Sequence, residues 1–339
     1  MLVVNKKKRG GYVNVEGSPY QAAQGVVPNT VTNHLELDSV NSKGVKFSVL
    51  FEGDDSSLNL TIDKTEQKNI PPFAQLTNTI PNWSTAFGVG ASAATGGLKL
   101  WPIELFNNET RQSVAHINTN TLETSTVSGK SLTFTHDTNF GELKAIWSKR
   151  KTDWDDVLDL DGGPFPIAET ERHTIYDAET FEIQLSGSTD SLDYVIGYYS
   201  LEDDAYTANP QSYFGGGQAI VQNYSGTSDA EAFFGQITWA IADKWDLTLG
   251  ARKTEEDKVG FKEYVGLFSQ TGQGSFDDTS GTFIISHNYS ENTNLYFKLA
   301  DGFKAGGINA EAPTPFEALK PYAPETIEST EFGLKGRYF

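Results

Sequence analysis

Cysteine is absent from the 339-residue chain. That excludes disulfides, thiolate catalysis and cysteine-ligated zinc together. Histidine is scarce: His34, His116, His136, His173 and His287 show no His-x-x-His or His-Glu-x-x-His spacing, so structural or surface roles are expected of them. No Gly-x-Ser-x-Gly elbow occurs. The chain is therefore read as not an enzyme, with no catalytic residue, cofactor or resident metal. Basic residues are outnumbered 45 to 26 by acidic ones, for a formal charge of −19, and this balance opposes binding to a nucleic-acid backbone. No apolar run approaches the ~20 residues of a membrane helix. The opening "MLVVNKKKRGGY" puts its apolar residues before its charges, which is not the order of a signal peptide. Hydrophobic residues make up 37% of the chain, below the roughly 45–50% of a globular domain, and argue against a large dry core.

Aromatic residues are plentiful instead. With 21 Phe, 14 Tyr and 6 Trp the chain is not a solvated tail. Their neighbours repeat with period two, the mark of a strand whose successive side chains point to opposite faces. Strands are expected at 6–13, 40–52, 57–66, 123–137, 141–156, 174–187, 192–203, 230–242, 245–258, 279–289, 293–304 and 325–338. Each is about as long as a barrel strand or longer, and no segment carries a helical period.

The connections alternate. Short ones ("EGDDSS" at 52–57, "DTNFG" at 137–141, "GSTDS" at 187–191, "ADK" at 242–244, "SEN" at 290–292) interleave with long ones at 14–39, 67–122, 157–173, 204–229, 259–278 and 305–324. Up-and-down hairpins with every short turn at one end produce this rhythm, as in outer-membrane barrels with short periplasmic turns and long extracellular loops. The fold expected is therefore all-β: an antiparallel up-and-down transmembrane β-barrel. Trp245, Tyr289, Phe140 and Trp239 beside the short turns fit an interfacial aromatic girdle.

The alternation also assigns faces. Phe181, Ile183, Leu185, Ile237, Trp239, Ile241, Trp245, Leu247, Leu249, Leu295, Phe297, Leu299, Phe332 and Leu334 form the apolar set, expected to meet lipid. Glu182, Gln184, Asp246, Thr248, Arg252, Tyr296, Lys298, Glu331 and Lys335 form the polar set, expected to line a wet lumen. Lys304, Gly306 and Gly307 are read as a strand-to-loop exit, where glycine permits backbone geometry other residues resist. "GVGASA" at 88–93 satisfies a dinucleotide fingerprint only formally, without a strand before it or a helix after it, and is read as a loop. "DWDDVLDLDGG" at 153–163 fails as an EF-hand, since aligning Gly162 with the loop glycine puts Val157 and Ala168 at ligand positions. A divalent ion loosely held by this acidic stretch stays open.

Four stretches carry a resemblance. "FGQITWAIADKWDLTLGARKTEEDK" (234–258), "NLYFKLADGFKAGGINA" (294–310), "PETIESTEFGLKGRY" (324–338) and "TFEIQLSGSTDSLDYVIGYYSLED" (180–203) resemble, in order, barrel hairpins of TonB-dependent outer-membrane receptors. "KRGGYVNV" and "GVKFSVLFEGDDSSLNLTIDKTE" resemble earlier strands of the same barrels. The resemblance implies a Gram-negative outer-membrane location and contact with outer-membrane lipid. It further implies a large scarce nutrient as ligand, such as a ferric siderophore, and an energy-coupling TonB complex acting through the family's plug domain. Family barrels have about 22 strands. About twelve are read here, with no plug and no signal peptide, so residues 1–339 are expected to form one partial barrel domain that does not transport alone. A small passive porin and a soluble all-β binding protein are the alternatives; the first would close and conduct by itself, the second would need no detergent.

Overall fold

A computed structural model describes residues 1–16, 36–78, 107–213, 218–310 and 319–337. The described residues form strands and turns, without helix. Twelve strands make one antiparallel sheet in chain order. They are β1 (Leu2–Arg9), β4 (Val40–Glu52), β5 (Ser56–Asn69), β7 (Leu122–Thr138), β8 (Gly141–Asp159), β9 (Ala168–Ser188), β10 (Leu192–Tyr213), β11 (Gln218–Ala242), β12 (Trp245–Tyr264), β13 (Phe268–Ser290), β14 (Thr293–Lys304) and β17 (Glu325–Gly336). Each hydrogen-bonds the next, so the chain runs up and down. Among the described residues β1 and β17 do not pair with each other, and the sheet is open. Short strands make two satellites at the long-loop end: β2 (Val13–Val15), β3 (Glu36–Leu37) and β6 (Val114–Ala115) form one, and β15 (Gly307–Ile308) with β16 (Pro321–Tyr322) the other.

All twelve expected strands are present, and the five short turns lie where the composition put them. Three of the expected long loops are corrected. The stretch 204–229 is nearly all strand, since β10 runs to Tyr213 and β11 starts at Gln218. Likewise 259–278 shrinks to a turn between Tyr264 and Phe268, and 157–173 to the stretch between Asp159 and Ala168. These extensions are mostly polar with scattered apolar residues, so they carry no sustained hydrophobic period; backbone ladders and cross-strand pairs such as Thr174–Thr207 and Asn223–Glu263 continue them. The first strand is also shifted. Leu2 and Val4 pair with Phe47 and Val45, whereas Val13 leaves the large sheet to pair with Leu37. Residues 88–93, His34 and the end of the last expected strand at Tyr338 lie outside the described residues.

Among the described residues no large dry core forms between sheets. The buried apolar cluster is small: Val13, Val15, Leu37, Ala115 and Ile117, with Ile70 and Phe73 against it. On the great sheet the large hydrophobics stay exposed, Trp239 at 50% and Phe332 at 76%. A soluble sheet would cover such a surface with a second layer.

Candidate functional site

Directly opposed residues in an antiparallel pair share a face, so the register sorts every side chain. One row runs Trp147–Phe181 and another Leu143–Leu185–Ile196. Others run Leu192–Trp239–Leu247–Ile285–Phe297–Phe332 and Ile237–Leu249–Phe283–Leu299. Ile183 lies beside Tyr198, Trp245 beside His287, and Leu295 joins His287 to Leu334. Ile241 sits at a register shift between Ala240 and Ala242. Thirteen of the fourteen apolar residues thus share one face, with Ile241 at the bulge. The nine polar residues share the other: Glu182 opposes Tyr199, Gln184 opposes Gly197, and Thr248–Ile284–Lys298–Glu331 form one row. Asp246–Ser286–Tyr296 form the next, Arg252 joins Phe234 to Ser280, and Lys335 faces Asn294.

The polar face is internally compensated. The Thr238 and Thr248 hydroxyls meet at 2.9 Å, and Asn288 Nδ2 donates to Asp246 Oδ2 at 3.2 Å. The Tyr296 hydroxyl donates to Glu331, while Lys335 Nζ stands 5.0 Å above the Tyr296 ring. The Arg252 guanidinium lies 5.6 Å from the Tyr199 ring centre and 5.7 Å from that of Phe234.

Toward the long-loop end this face is covered. Asp156, Thr170, Thr207, Asn209, Ala230, Ala232 and Lys262 are all buried, and all lie on the polar face. Arg172 Nε donates to Asp156 Oδ1 at 3.0 Å, and its guanidinium stacks 4.9 Å from Trp154. The β15–β16 hairpin folds over β12 and β13 on the same side. Lys258 Nζ donates to Gly306 O at 3.0 Å, and a Cβ at Gly272 would stand 2.4 Å from Leu319 O. A cavity of about 300 Å³ remains beneath the hairpin, lined among others by Asp203, Thr207, Lys258, Ile308 and Tyr322. Burial raises the Asp203 carboxyl, against hydrogen bonds from Ser228 and Tyr176. Cation, carboxylate, hydroxyl and ring edges converge there, able to hold a polar ligand. β14 ends at Lys304 as read, but Gly306 and Gly307 do not take a left-handed backbone; glycine is needed there for close approach, since a side chain at Gly306 would collide with Tyr322 O.

Two acidic groups lie near the tops of β8 and β9. Asp159 accepts from Gly162 N at 2.7 Å and Asp161 from Ala168 N at 2.9 Å, which shapes the 160–167 turn. Burial raises both carboxyls, to about 7 and about 8, with the charge of Glu169 adding to it at Asp159 and those of Asp159 and Glu169 at Asp161. On the apolar-face side, beyond the apolar band, Asp153, Asp155 and His173 bring three ligand atoms within 4.8 Å of one another. His173 Nδ1 already contacts Asp155 Oδ1 at 2.7 Å. No sequence spacing announces this group, because it arises from the Asp155–His173 register of two strands.

The short-turn end carries the aromatic edge. Trp245 stacks on His287 at 4.3 Å, Tyr289 meets the same ring edge-on, and the Tyr194 hydroxyl donates to Phe140 O.

Comparison with known proteins agrees with this geometry. The chain resembles the ferric yersiniabactin uptake receptor FyuA from Yersinia pestis with a TM-score of 0.72 at 12% identity, over 99% of this chain and 47% of that one. It resembles the siderophore receptor PiuA from Acinetobacter baumannii at 0.61 and 14%, over 100% and 50%. The copper transporter OprC matches at 0.65 and 10%, over 100% and 47%. The chain therefore spans about half the length of these solved structures. A search of curated proteins finds no match. The family model described as TonB dependent receptor-like, beta-barrel, matches residues 68–339, and the chain belongs to that family.

Proposed function

We propose that this chain forms part of the wall of an outer-membrane uptake receptor, in a Gram-negative cell, for a large scarce nutrient, most specifically a ferric siderophore. The observation that carries this reading is the division of the sheet. Twelve strands put apolar side chains on one bare face, and polar ones on the face over which the loops fold. In a bilayer the first face meets lipid, with Phe181, Trp239, Leu249 and Phe297 in the hydrocarbon. The second lines the lumen, with Glu182, Arg252, Lys298 and Glu331 hydrated and mutually compensating. Tyr289 and Trp245 take the periplasmic interface, and the polar extensions of β10–β13 stand outside the cell. Whole receptors of this family couple uptake to an inner-membrane TonB complex, the energy-coupling partner proposed for the receptor of which this barrel is part. FyuA and PiuA are titled as siderophore receptors, which supports the iron reading of the ligand; OprC is titled as a copper transporter, which keeps the metal itself a variable of the test.

Deleting the coding region in the source cell tests this. Growth on one ferric siderophore under iron limitation is expected to fail, while small solutes still enter. Unchanged uptake of every ferric chelate, with loss of a metal-free nutrient or of copper instead, refutes the iron assignment.

A further inference from the structure

The outward face does not turn evenly polar above its apolar band. On β7 and β8 the row Leu132–Trp147 is followed at once by Lys130 directly opposite Lys149. Like charges directly opposed across a ladder are destabilising, and here a single carboxylate, Glu179, serves the row. It accepts from Lys149 Nζ at 3.1 Å and from Trp147 Nε1 at 2.7 Å, while Lys130 Nζ rests 5.2 Å from the Trp147 ring centre. Among the described residues Lys130 has no ion pair. One row further Lys151 pairs with Asp177 at 3.3 Å, and on β5 Lys64 is level with that row through Ser128. The like-charge arrangement recurs where Lys6 opposes Lys43. Within this sector Glu66 pairs with Lys43 and with Lys64, each at 2.6 Å, whereas on β10–β12 the same side carries an acidic group, Glu202, Glu231 and Glu255. A chain of net charge −19 thus concentrates paired lysines in one sector, beside a tryptophan, at the upper edge of the apolar band.

We infer that this sector, centred on Lys130, Lys149 and Lys151, binds the phosphate of an anionic lipid headgroup in the outer leaflet. The inference rests on the membrane-barrel reading above. A phosphate placed between Lys130 and Lys149 would relieve their repulsion and give Lys130 the anion it lacks. Trp147 beneath it would seat at the headgroup–acyl boundary, where amphipathic rings belong. The headgroup is preferred to free phosphate because the lysines follow the apolar band by one row, so an acyl chain would run down over Trp147, Phe181 and Leu132.

The test uses the 339-residue chain folded in neutral phosphatidylcholine bicelles, titrated with phosphatidic acid and followed by Trp fluorescence. Binding is expected to weaken about fivefold for each lysine removed in Lys130→Gln and Lys149→Gln, and about 25-fold in the double variant. Lys253→Gln, on the acidic sector, serves as the control and is expected to leave binding unchanged. A chain that inserts into neutral bicelles but shows no preference for phosphatidic acid, or equal losses for Lys253→Gln, overturns the inference and leaves the barrel intact. Competition by inorganic phosphate at matched concentration would overturn the lipid assignment. A chain that stays monodisperse in water without detergent refutes the barrel reading itself.

Discussion

Replacing Leu249 by arginine, beside the same replacement at Thr248, separates the two faces with one residue step. On β11 the apolar set runs from Phe233 to Ile241, roughly 26 Å of strand at about 3.3 Å per residue. At a barrel tilt of about 40° this covers about 20 Å of membrane normal, close to the apolar band of such barrels. Leu249 opposes Ile237, midway along that run, with Phe283 on its other side. Arginine there stands near the bilayer midplane and is expected to cost ~2–4 kcal/mol. Thr248 points to the opposite face, where it meets the Thr238 hydroxyl at 2.9 Å. Arginine at 248 forfeits that hydrogen bond and is expected to cost under about 1 kcal/mol. The assay is urea-dependent unfolding from phosphatidylcholine bilayers, read by tryptophan fluorescence. Leu249 is 42% exposed without lipid, so on a face that met water its replacement would be nearly neutral. Equal costs at both positions, or a neutral Leu249→Arg, refute the assignment of faces.

Three further outcomes follow from the long-loop end. Asp159 and Asp161 have folded-state pKa values raised above the ordinary carboxylate value, so the folded turn holds protons that the opened turn releases. Its stability is greatest below about pH 4 and falls as pH rises to about 8; hydrogen exchange at residues 160–168, corrected for intrinsic rates, should show faster opening at pH 8 than at pH 5. Arg172→Ala leaves the Asp156 carboxylate, 2% exposed, without its cation and is expected to loosen the tops of β8 and β9 by ~3–5 kcal/mol, measured by limited proteolysis; an unchanged cleavage rate would contradict the burial argument. Gly272→Val places a side chain where Leu319 O already lies 2.4 Å from a Cβ position, so the β15–β16 hairpin should lift and its amides exchange faster, with the membrane-spanning rows unaffected.

The strand count and the short turns were legible because both are local. A period of two needs only neighbouring residues, as in Trp245, Leu247 and Leu249, and a tight turn needs only a few polar ones, as in "ADK". The partition into faces was legible for the same reason: a residue's side of a strand follows from its parity. The strand extensions were not, because Thr227, Asp229, Gln270 and Gly274 are polar on both faces and resemble loop.

Register is the property that local pattern leaves open. Whether Lys130 meets Lys149, Asp155 meets His173 or Arg172 meets Asp156 depends on how strands slide past each other, and a shift of two residues keeps every face while changing every partner. Pairing across long stretches of chain is likewise tertiary, as where Val13, Leu37 and Ala115 close one small cluster. The amino-acid sequence by itself determined strands, turns, sidedness and family; only the folded sheet decided which charges stand together, because hydrogen bonding between strands, not the pattern along one, sets what lies opposite.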